Sequence, residues 1–157
     1  MQRVAIFVDV QNVYYTTRQA FGRHFDYHAF WARFAVGHDV VLANAYAIER
    51  GDPRQRQFQN ILRGIGFSVK LKPYIQRSDG SAKGDWDVGI ALDAMEAAAA
   101  VQRLILVSGD GDFDLLVERI RQRYNIPVDV VGVERLTADS LIRAASDFIA
   151  IDSLLLR

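Results

Sequence analysis

The sequence contains no cysteine, and this absence excludes several kinds of chemistry at once. The chain has no thiolate nucleophile, no zinc–thiolate site and no disulfide, so a reducing compartment is permitted. No run approaches the roughly 18 apolar residues of a membrane helix, and the first residues lead straight into the apolar run Val4–Val8 without the layout of a signal peptide. We therefore expect a soluble, cytoplasmic protein with no membrane partner.

Glycine-rich phosphate loops are also missing. Neither G-x-G-x-x-G nor a Walker-type loop follows the first predicted strand, so dinucleotide and nucleoside triphosphate binding are unsupported. Ser108 does not stand in a G-x-S-x-G elbow, which leaves serine nucleophile chemistry unsupported as well. His24 and His28 have no obvious carboxylate partner, and we interpret them as surface residues.

The formal net charge is zero, but the charges are unevenly distributed. Between Arg50 and Lys83 there are eight basic and two acidic residues, an excess of six positive charges that the rest of the chain balances. An acidic pocket beside a basic flank suits a metal-dependent enzyme acting on a polyanion, because local fields steer ligands. Solvated helix and loop surface explains the same charge count equally well.

Strand and helix patterns alternate along the 157 residues, which are enough for one domain with a full core. This alternation predicts an α/β fold with a mainly parallel sheet covered on both faces, and a single domain over residues 1–157. We predict strands at 3–10, 40–48, 67–71, 104–107, 128–133 and 148–151. We predict helices at 13–20, 27–36, from Pro53 after an Asp52 cap, 85–98, 112–123 and 138–145, and a long loop at 72–83.

The most informative stretch is the apolar run 104–107 with the aspartates that follow it. Asp110, Asp112 and Asp114 stand at every second position between this strand and a helix. Asp9 ends the first predicted strand, and Asp87 lies near the start of the helix after the long loop. Ligand sites of α/β sheets lie beyond the carboxyl ends of the strands, so we expect Asp9, Asp110 and Asp87 to converge.

Converging carboxylates repel one another and favour a bound cation. Two like charges about 5 Å apart repel by roughly 3 kcal/mol at an effective dielectric constant near 20. Oxygen ligands without cysteine or clustered histidine favour Mg²⁺ or Mn²⁺ over zinc. Such a site, with Asp112 two positions after Asp110, can activate water and stabilise the displacement at a phosphodiester.

Each aspartate also has a purely structural interpretation. Asp112 and Asp85 are well placed to cap their helices, and Asp114 suits a first helical turn. The run from Asp110 resembles the opening of a calcium loop, but Leu115 and Arg121 replace its required Gly and Glu. A phosphatase with an Asp-x-Asp nucleophile is a further alternative, although here the motif follows the fourth predicted strand and not the first.

Four motifs occur in an order that resembles a known family. They are 6–12 (IFVDVQN), 83–88 (KGDWDV), 108–113 (SGDGDF) and 141–148 (LIRAASDF). Together they resemble the NYN domain (the LabA-like, DUF88 group) of the PIN-like nuclease superfamily, over nearly the whole chain. The resemblance implies a three-layer α/β/α sandwich and divalent-metal-dependent endoribonuclease activity, in which a metal-bound water attacks RNA.

The resemblance also implies roles for individual residues. The four aspartates 9, 87, 110 and 112 would be the catalytic metal ligands, with Asn12 orienting substrate or water and Ser108 supporting the cluster. Asp85, Asp93 and Asp114 are second-line candidates. Basic residues would guide the backbone of single-stranded or structured RNA, and an aromatic residue could stack on an unpaired base. The predicted backbone contacts are Arg50, Arg54, Lys72, Arg77 and Lys83, and the predicted stacking residues are Tyr74 or Trp86.

A catalytically weak or inactive NYN module remains the competing hypothesis. Such a protein would keep the scaffold and act as a regulatory protein- or RNA-binding domain, with its metals structural or absent. The apolar residues Leu154–Leu156 could pair two copies as a homodimer, although packing of the terminus explains them equally well.

Overall fold

The computed structural model of the chain describes residues 1–73, 75–76, 82–83 and 85–157, with only the backbone described at 75, 76, 82 and 83. The strands are β1 (Arg3–Asp9), β2 (Asp39–Glu49), β3 (Ser68–Pro73), β4 (Ile75–Gln76), β5 (Ala82–Lys83), β6 (Arg103–Val107), β7 (Val128–Gly132) and β8 (Asp147–Ala150). The helices are α1 (Val10–Phe21), α2 (Tyr27–Phe34), α3 (Pro53–Ile65), α4 (Asp87–Ala98), α5 (Asp114–Tyr124) and α6 (Asp139–Ala144). No described helix has the length and apolar character needed to cross a membrane.

Six of these strands form one sheet in the order β3-β2-β1-β6-β7-β8. Every neighbouring pair in it is parallel, so the predicted mainly parallel sheet is confirmed. The strand order reverses between β1 and β6, because the chain builds outward from β1 on one side and later continues on the other. This reversal is the topological switch point, where α/β sheets bind ligands.

Helices cover both faces of the sheet, as required by the apolar side chains of β1 that point alternately to either face. Ile6 and Val8 belong to one core cluster, with side chains of α1, α2 and α3. Ala5 and Phe7 belong to the other, with side chains of α4, α5 and α6. Because successive strand residues point to opposite faces, a continuous apolar run such as Val4–Val8 is buried on both sides. The three-layer α/β/α architecture is therefore confirmed.

Two predicted helices differ from the observed ones in ways that affect the site. β1 ends at Asp9 and α1 begins at Val10, so Asn12 lies in the first helical turn and not before the helix. In α4, the helical spacing of Val88 and Leu92 predicts that they face the core, but they are 70% and 66% exposed. The buried face of α4 is Ile90, Ala94 and Ala98. The helix is apolar on several sides, and its small alanine side chains allow the close approach to the sheet.

The segment 72–83, predicted as a loop, contains extended backbone. β3 continues to Pro73, and β4 pairs with β5 in a two-stranded antiparallel ladder, Ile75 with Lys83 and Gln76 with Ala82. The glycine and serines of this segment predict turns but do not exclude short extended pieces between them. Tyr74 and Arg77 lie outside the described residues.

Candidate active site

Three carboxylates meet at the carboxyl ends of β1 and β6. One oxygen atom from each of Asp9, Asp87 and Asp110 lies within 4.8 Å of the others, and all three residues are half-buried. Asp9 is the last residue of β1, Asp110 follows β6, and Asp87 is the first residue of α4. The expected convergence of these three aspartates is therefore present.

Asp9 carries its charge in a poorly solvated position. Burial raises its pKa to about 6, while the Ser108 hydroxyl and the backbone N–H of Asn12 act in the opposite direction. The charges of Asp110 and Asp85 raise the pKa further. The Ser108 hydroxyl donates a hydrogen bond of 3.1 Å to Oδ2 of Asp9. A bound cation favours the ionised form of a carboxyl group. A buried carboxyl with this pKa therefore loses its proton readily when a cation takes the place of the proton.

The turn after β6 is organised by side chains that bind its backbone. Asp110 Oδ1 accepts a hydrogen bond of 2.9 Å from the backbone N–H of Asp112, so Asp110 caps the 3₁₀ turn Gly111–Phe113. The expectation that Asp112 caps the following helix is wrong. The N–H of Asp110 donates to Ser108 Oγ at 3.2 Å, and the N–H of Gly109 donates to Asn12 Oδ1 at 2.8 Å. Asn12 thus joins α1 to this turn.

A neighbouring segment packs tightly against the same turn. A Cβ atom added to Gly109 would lie 2.9 Å from Oγ1 of Thr137 and 3.0 Å from the carbonyl oxygen of Leu136. A Cβ atom on Gly132 would lie 2.6 Å from the same threonine oxygen. The hydroxyl of Thr137 donates to the carbonyl of Val133 at 2.7 Å, which fixes the side chain. Both glycines are therefore needed for this close approach.

Asp87 is held in the cluster by the packing of Trp86. The indole Nε1 donates to the carbonyl of Ala47 at 2.8 Å, and Lys72 Nζ lies 4.5 Å from the indole ring centroid. A Cβ atom on Gly89 would lie 2.6 Å from this ring. Trp86 is thus packed between α4 and β2, with Lys72 beside its ring, which accounts for the residue structurally.

The pKa of Asp87 is raised to about 7. Burial is the largest cause, followed by the charge and close contact of Asp110, with smaller contributions from the charges of Asp85 and Asp9. Among the described residues, no positively charged side chain contributes to the pKa shift of Asp9 or of Asp87. The charges that raise these two pKa values are therefore those of neighbouring carboxylates.

The remaining predicted acids lie around this cluster. Asp112 is exposed and, among the described residues, does not join the three-carboxylate group. Asp114 lies in the first turn of α5, where its Oδ1 accepts from the N–H of Leu115 at 2.5 Å. Asp85 precedes α4, and its Oδ1 accepts from the N–H of Asp87 at 3.3 Å. Asp93 accepts a hydrogen bond of 2.7 Å from the hydroxyl of Tyr46, on the sheet side of α4.

The predicted basic contacts occupy different places. Lys72 Nζ donates to the carbonyl of Asp85 at 3.3 Å, directly before α4. Arg50 and Arg54 line a cleft of about 750 Å³ between α1, α3 and the end of β2. Arg77 and the side chain of Lys83 lie outside the described residues. This cleft could not be predicted from the sequence, because no motif marks it and its walls come from segments far apart in the chain.

The three carboxylates fit a hard divalent cation. Oxygens bound to one Mg²⁺ at about 2.1 Å lie at most about 4.2 Å apart. The observed limit of 4.8 Å therefore requires only a small contraction. Carboxylate oxygens are the donors that Mg²⁺ and Mn²⁺ prefer, and a cation would relieve the repulsion that raises the pKa of Asp87.

Comparison with known proteins identifies the family of the chain. The chain is 29% identical to the "Low amplitude and bright protein LabA" of Synechococcus elongatus, over 97% of this chain and 85% of that protein. A crystal structure of VPA0982 from Vibrio parahaemolyticus, described as a protein of unknown function, matches with a TM-score of 0.95 and 63% identity, over 99% of this chain and 96% of that one. The family pattern of the NYN domain matches residues 3–152. The chain therefore belongs to the NYN domain family, within the PIN-like nuclease superfamily.

Proposed function

We propose that this protein is a divalent-metal-dependent ribonuclease that hydrolyses phosphodiester bonds of RNA. The observation that carries the proposal is the group formed by Asp9, Asp87 and Asp110 at the switch point of the sheet. Among the described residues, no cation contributes to the pKa shifts of Asp9 and Asp87. Membership of a nuclease superfamily supports the same reaction class.

Asp9, Asp87 and Asp110 would hold Mg²⁺ or Mn²⁺, with Asp112 as a further ligand or a contact from the exposed side. When bound, the ion supplies activation of water and neutralisation of the phosphate charge. Ser108 orients Asp9 through its hydroxyl, and Asn12 fixes the turn through the N–H of Gly109. These hydrogen bonds hold the ligand oxygens in position, so less ordering is needed when substrate arrives.

The basic residues of the segment 50–83 suit a substrate that carries a chain of phosphates. We assign Arg50, Arg54 and Lys72 to the RNA backbone, together with Arg77 and Lys83 from the segment before α4. Hydrolysis adds water across one P–O ester bond and leaves a phosphomonoester on one fragment and a hydroxyl group on the other. The negative cluster repels a polyanion by itself, so cations beside it are needed to keep the strand in place.

The test is a cleavage assay with purified protein. Single-stranded and double-stranded RNA and DNA are incubated with Mn²⁺ or with EDTA, beside Asp110→Asn and the control Asp139→Asn. Asp139 is an exposed aspartate in the first turn of α6 and is outside the carboxylate group. We expect cleavage of RNA with Mn²⁺, none with EDTA, a loss of at least about 100-fold in Asp110→Asn, and little change in Asp139→Asn.

Cleavage that persists in Asp110→Asn would contradict the catalytic assignment. Calorimetric titration separates the remaining alternatives, because it does not depend on turnover. Heat of Mn²⁺ binding that disappears in Asp9→Asn supports the metal site. No heat and no cleavage would favour a binding or regulatory NYN module.

A further inference from the structure

The cleft of about 750 Å³ beside the carboxylates has no role in the hydrolysis described above beyond its two arginines. Val10 and Gln11, which directly follow Asp9, are among its lining residues. Tyr27 also lines it, and the pKa of Tyr27 is raised first by burial and then by the charge of Asp9. The wall of the cleft thus lies within electrostatic reach of the carboxylate cluster. A ligand in this cleft would therefore lie near Asp9.

Exposed aromatic rings form one wall of the cleft. Tyr14 is 41% exposed and Tyr15 is 49% exposed, and their rings contact edge to face with centroids 5.4 Å apart. The ring of His24 stacks on Tyr14 at 6.0 Å with an interplanar angle of 28°. The helix rises about 1.5 Å per residue, so Tyr14 lies only about 6 Å along α1 from Val10. Arg18 also contacts Tyr14, because its Nη1 donates to the Tyr14 hydroxyl at 3.2 Å and its Cζ lies 6.0 Å from the ring centroid. These contacts hold the Tyr14 ring in place, and the exposed part of both tyrosines remains open to a ligand.

The charges of the cleft point to an anionic ligand. Arg50 and Arg54 line the cleft, and Asp52, which lies between them in the chain, is its acidic lining residue. Oδ1 of Asp52 accepts a hydrogen bond of 2.8 Å from the backbone N–H of Arg54, so this carboxylate caps α3. Flat aromatic surface next to cations is the combination that binds single-stranded nucleic acid, where bases stack and phosphates contact the cations.

We propose that this cleft binds an unpaired base of a single-stranded RNA, next to the phosphodiester at the carboxylate cluster. Tyr14 and Tyr15 provide the stacking surface, and Arg50 and Arg54 contact the adjoining phosphates. A base-paired strand keeps its bases stacked inside the duplex, so it cannot place one in the cleft. The proposal rests on the proposed ribonuclease function and adds a preference for single strands.

The test measures binding in EDTA, so that it does not depend on cleavage. The probe is a short fluorescein-labelled single-stranded RNA, followed by anisotropy and compared with an RNA duplex and with inorganic polyphosphate as competitors. The variants are Tyr14→Ala/Tyr15→Ala and the matching double replacement by Phe, which keeps the rings. Phe21→Ala is the matched control, because Phe21 is on the same helix, is 42% exposed and does not line the cleft.

We expect the double alanine variant to lose about 5- to 100-fold in affinity for the single strand, as base–aromatic stacking predicts. The double phenylalanine variant and Phe21→Ala should bind like the unsubstituted protein. The inhibition constant of polyphosphate should be the same for all these proteins. Arg54→Ala, in contrast, should weaken the binding of both RNA and polyphosphate. Both tyrosines are exposed, so their replacement should leave the melting temperature nearly unchanged.

Equal single-strand affinity of the alanine variant and the unsubstituted protein would overturn the proposal, as would the absence of any binding. A dimer that the alanine variant dissociates in size-exclusion chromatography would also overturn it, because the cleft would then contact a second copy. The ribonuclease proposal fails separately. Tyrosine-dependent binding without Mn²⁺-dependent cleavage would keep the base site and remove the catalytic function.

Discussion

Replacing Asp9 by Asn should stabilise the metal-free protein, although the same change removes a proposed metal ligand. Asp9 has a pKa of about 6 in the folded chain, against an ordinary value of 3.8. At pH 8 this difference corresponds to a folding cost of about 3 kcal/mol, at about 1.36 kcal/mol per tenfold change. Asn carries no charge, has nearly the same shape, and can still form a hydrogen bond with Ser108. The figure is an upper value, because the site is partly open to solvent.

The sign of the pH dependence follows from the raised pKa. Below pH 3.8 the carboxyl of Asp9 is protonated in both states, and the stability associated with its neutral form is fully present. That stability is lost as the pH rises through about 6, where the folded state must ionise. The gain from Asp9→Asn should therefore be about 3 kcal/mol at pH 8 and about half of that at pH 5.

The assay is thermal unfolding in EDTA at pH 5 and pH 8, repeated with Mn²⁺. For a chain of this size each kcal/mol shifts the melting temperature by about 2–4 °C, so we expect Asp9→Asn to melt several degrees higher in EDTA at pH 8. Mn²⁺ should raise the melting temperature of the unsubstituted protein, more at pH 8 than at pH 5, and not that of the variant. The control Asp139→Asn should follow the unsubstituted protein throughout. Two results in EDTA would refute the reasoning. One is a melting temperature of Asp9→Asn at pH 8 below that of the unsubstituted protein, and the other is an equal rise over the unsubstituted protein at both pH values.

Three further changes test neighbouring contacts. Ser108→Ala removes the hydrogen bond that lowers the pKa of Asp9. The acidic limb of the pH–activity profile should therefore move to higher pH, and activity near neutral pH should fall about tenfold. Gly89→Ala places a Cβ atom 2.6 Å from an indole ring and should lower the free energy of unfolding in urea by about 1–3 kcal/mol. Asp112→Asn should reduce the Mn²⁺-induced rise in melting temperature less than Asp110→Asn does, because the Asp112 carboxylate is exposed outside the group; equal reductions would contradict this.

The parts of the site that could be predicted from the sequence are those determined by strand ends. Asp9 and Asp110 each follow a short apolar run, and parallel strands bring their carboxyl ends to one edge of the sheet. Asp87 could be predicted to lie near these two residues because it begins a helix that crosses back over the sheet. Local pattern and parallel topology together were sufficient for this convergence.

Other features depend on packing that no local pattern contains. The apolar residues of α4 suggested that Val88 and Leu92 face the core, but the alanine face fits closer to the sheet and leaves both exposed. Asp112 stands in the same motif as Asp110, yet the 3₁₀ turn directs only one of the two carboxylates into the group. The cleft with Tyr14 combines three distant segments, and its aromatic residues have no distinguishing spacing in the chain.

The close packing of Thr137 against Gly109 and Gly132 has a consequence for the entropy of ion binding. The turn that carries Asp110 is confined from outside by a threonine whose hydroxyl is itself hydrogen-bonded. Its conformational freedom is lost when the chain folds, and not when a ligand arrives. The free energy of ordering this turn is thus part of the folding equilibrium, so the affinity for a cation is not reduced by it. A looser contact at Gly132 would transfer that cost to the binding step without changing any carboxylate.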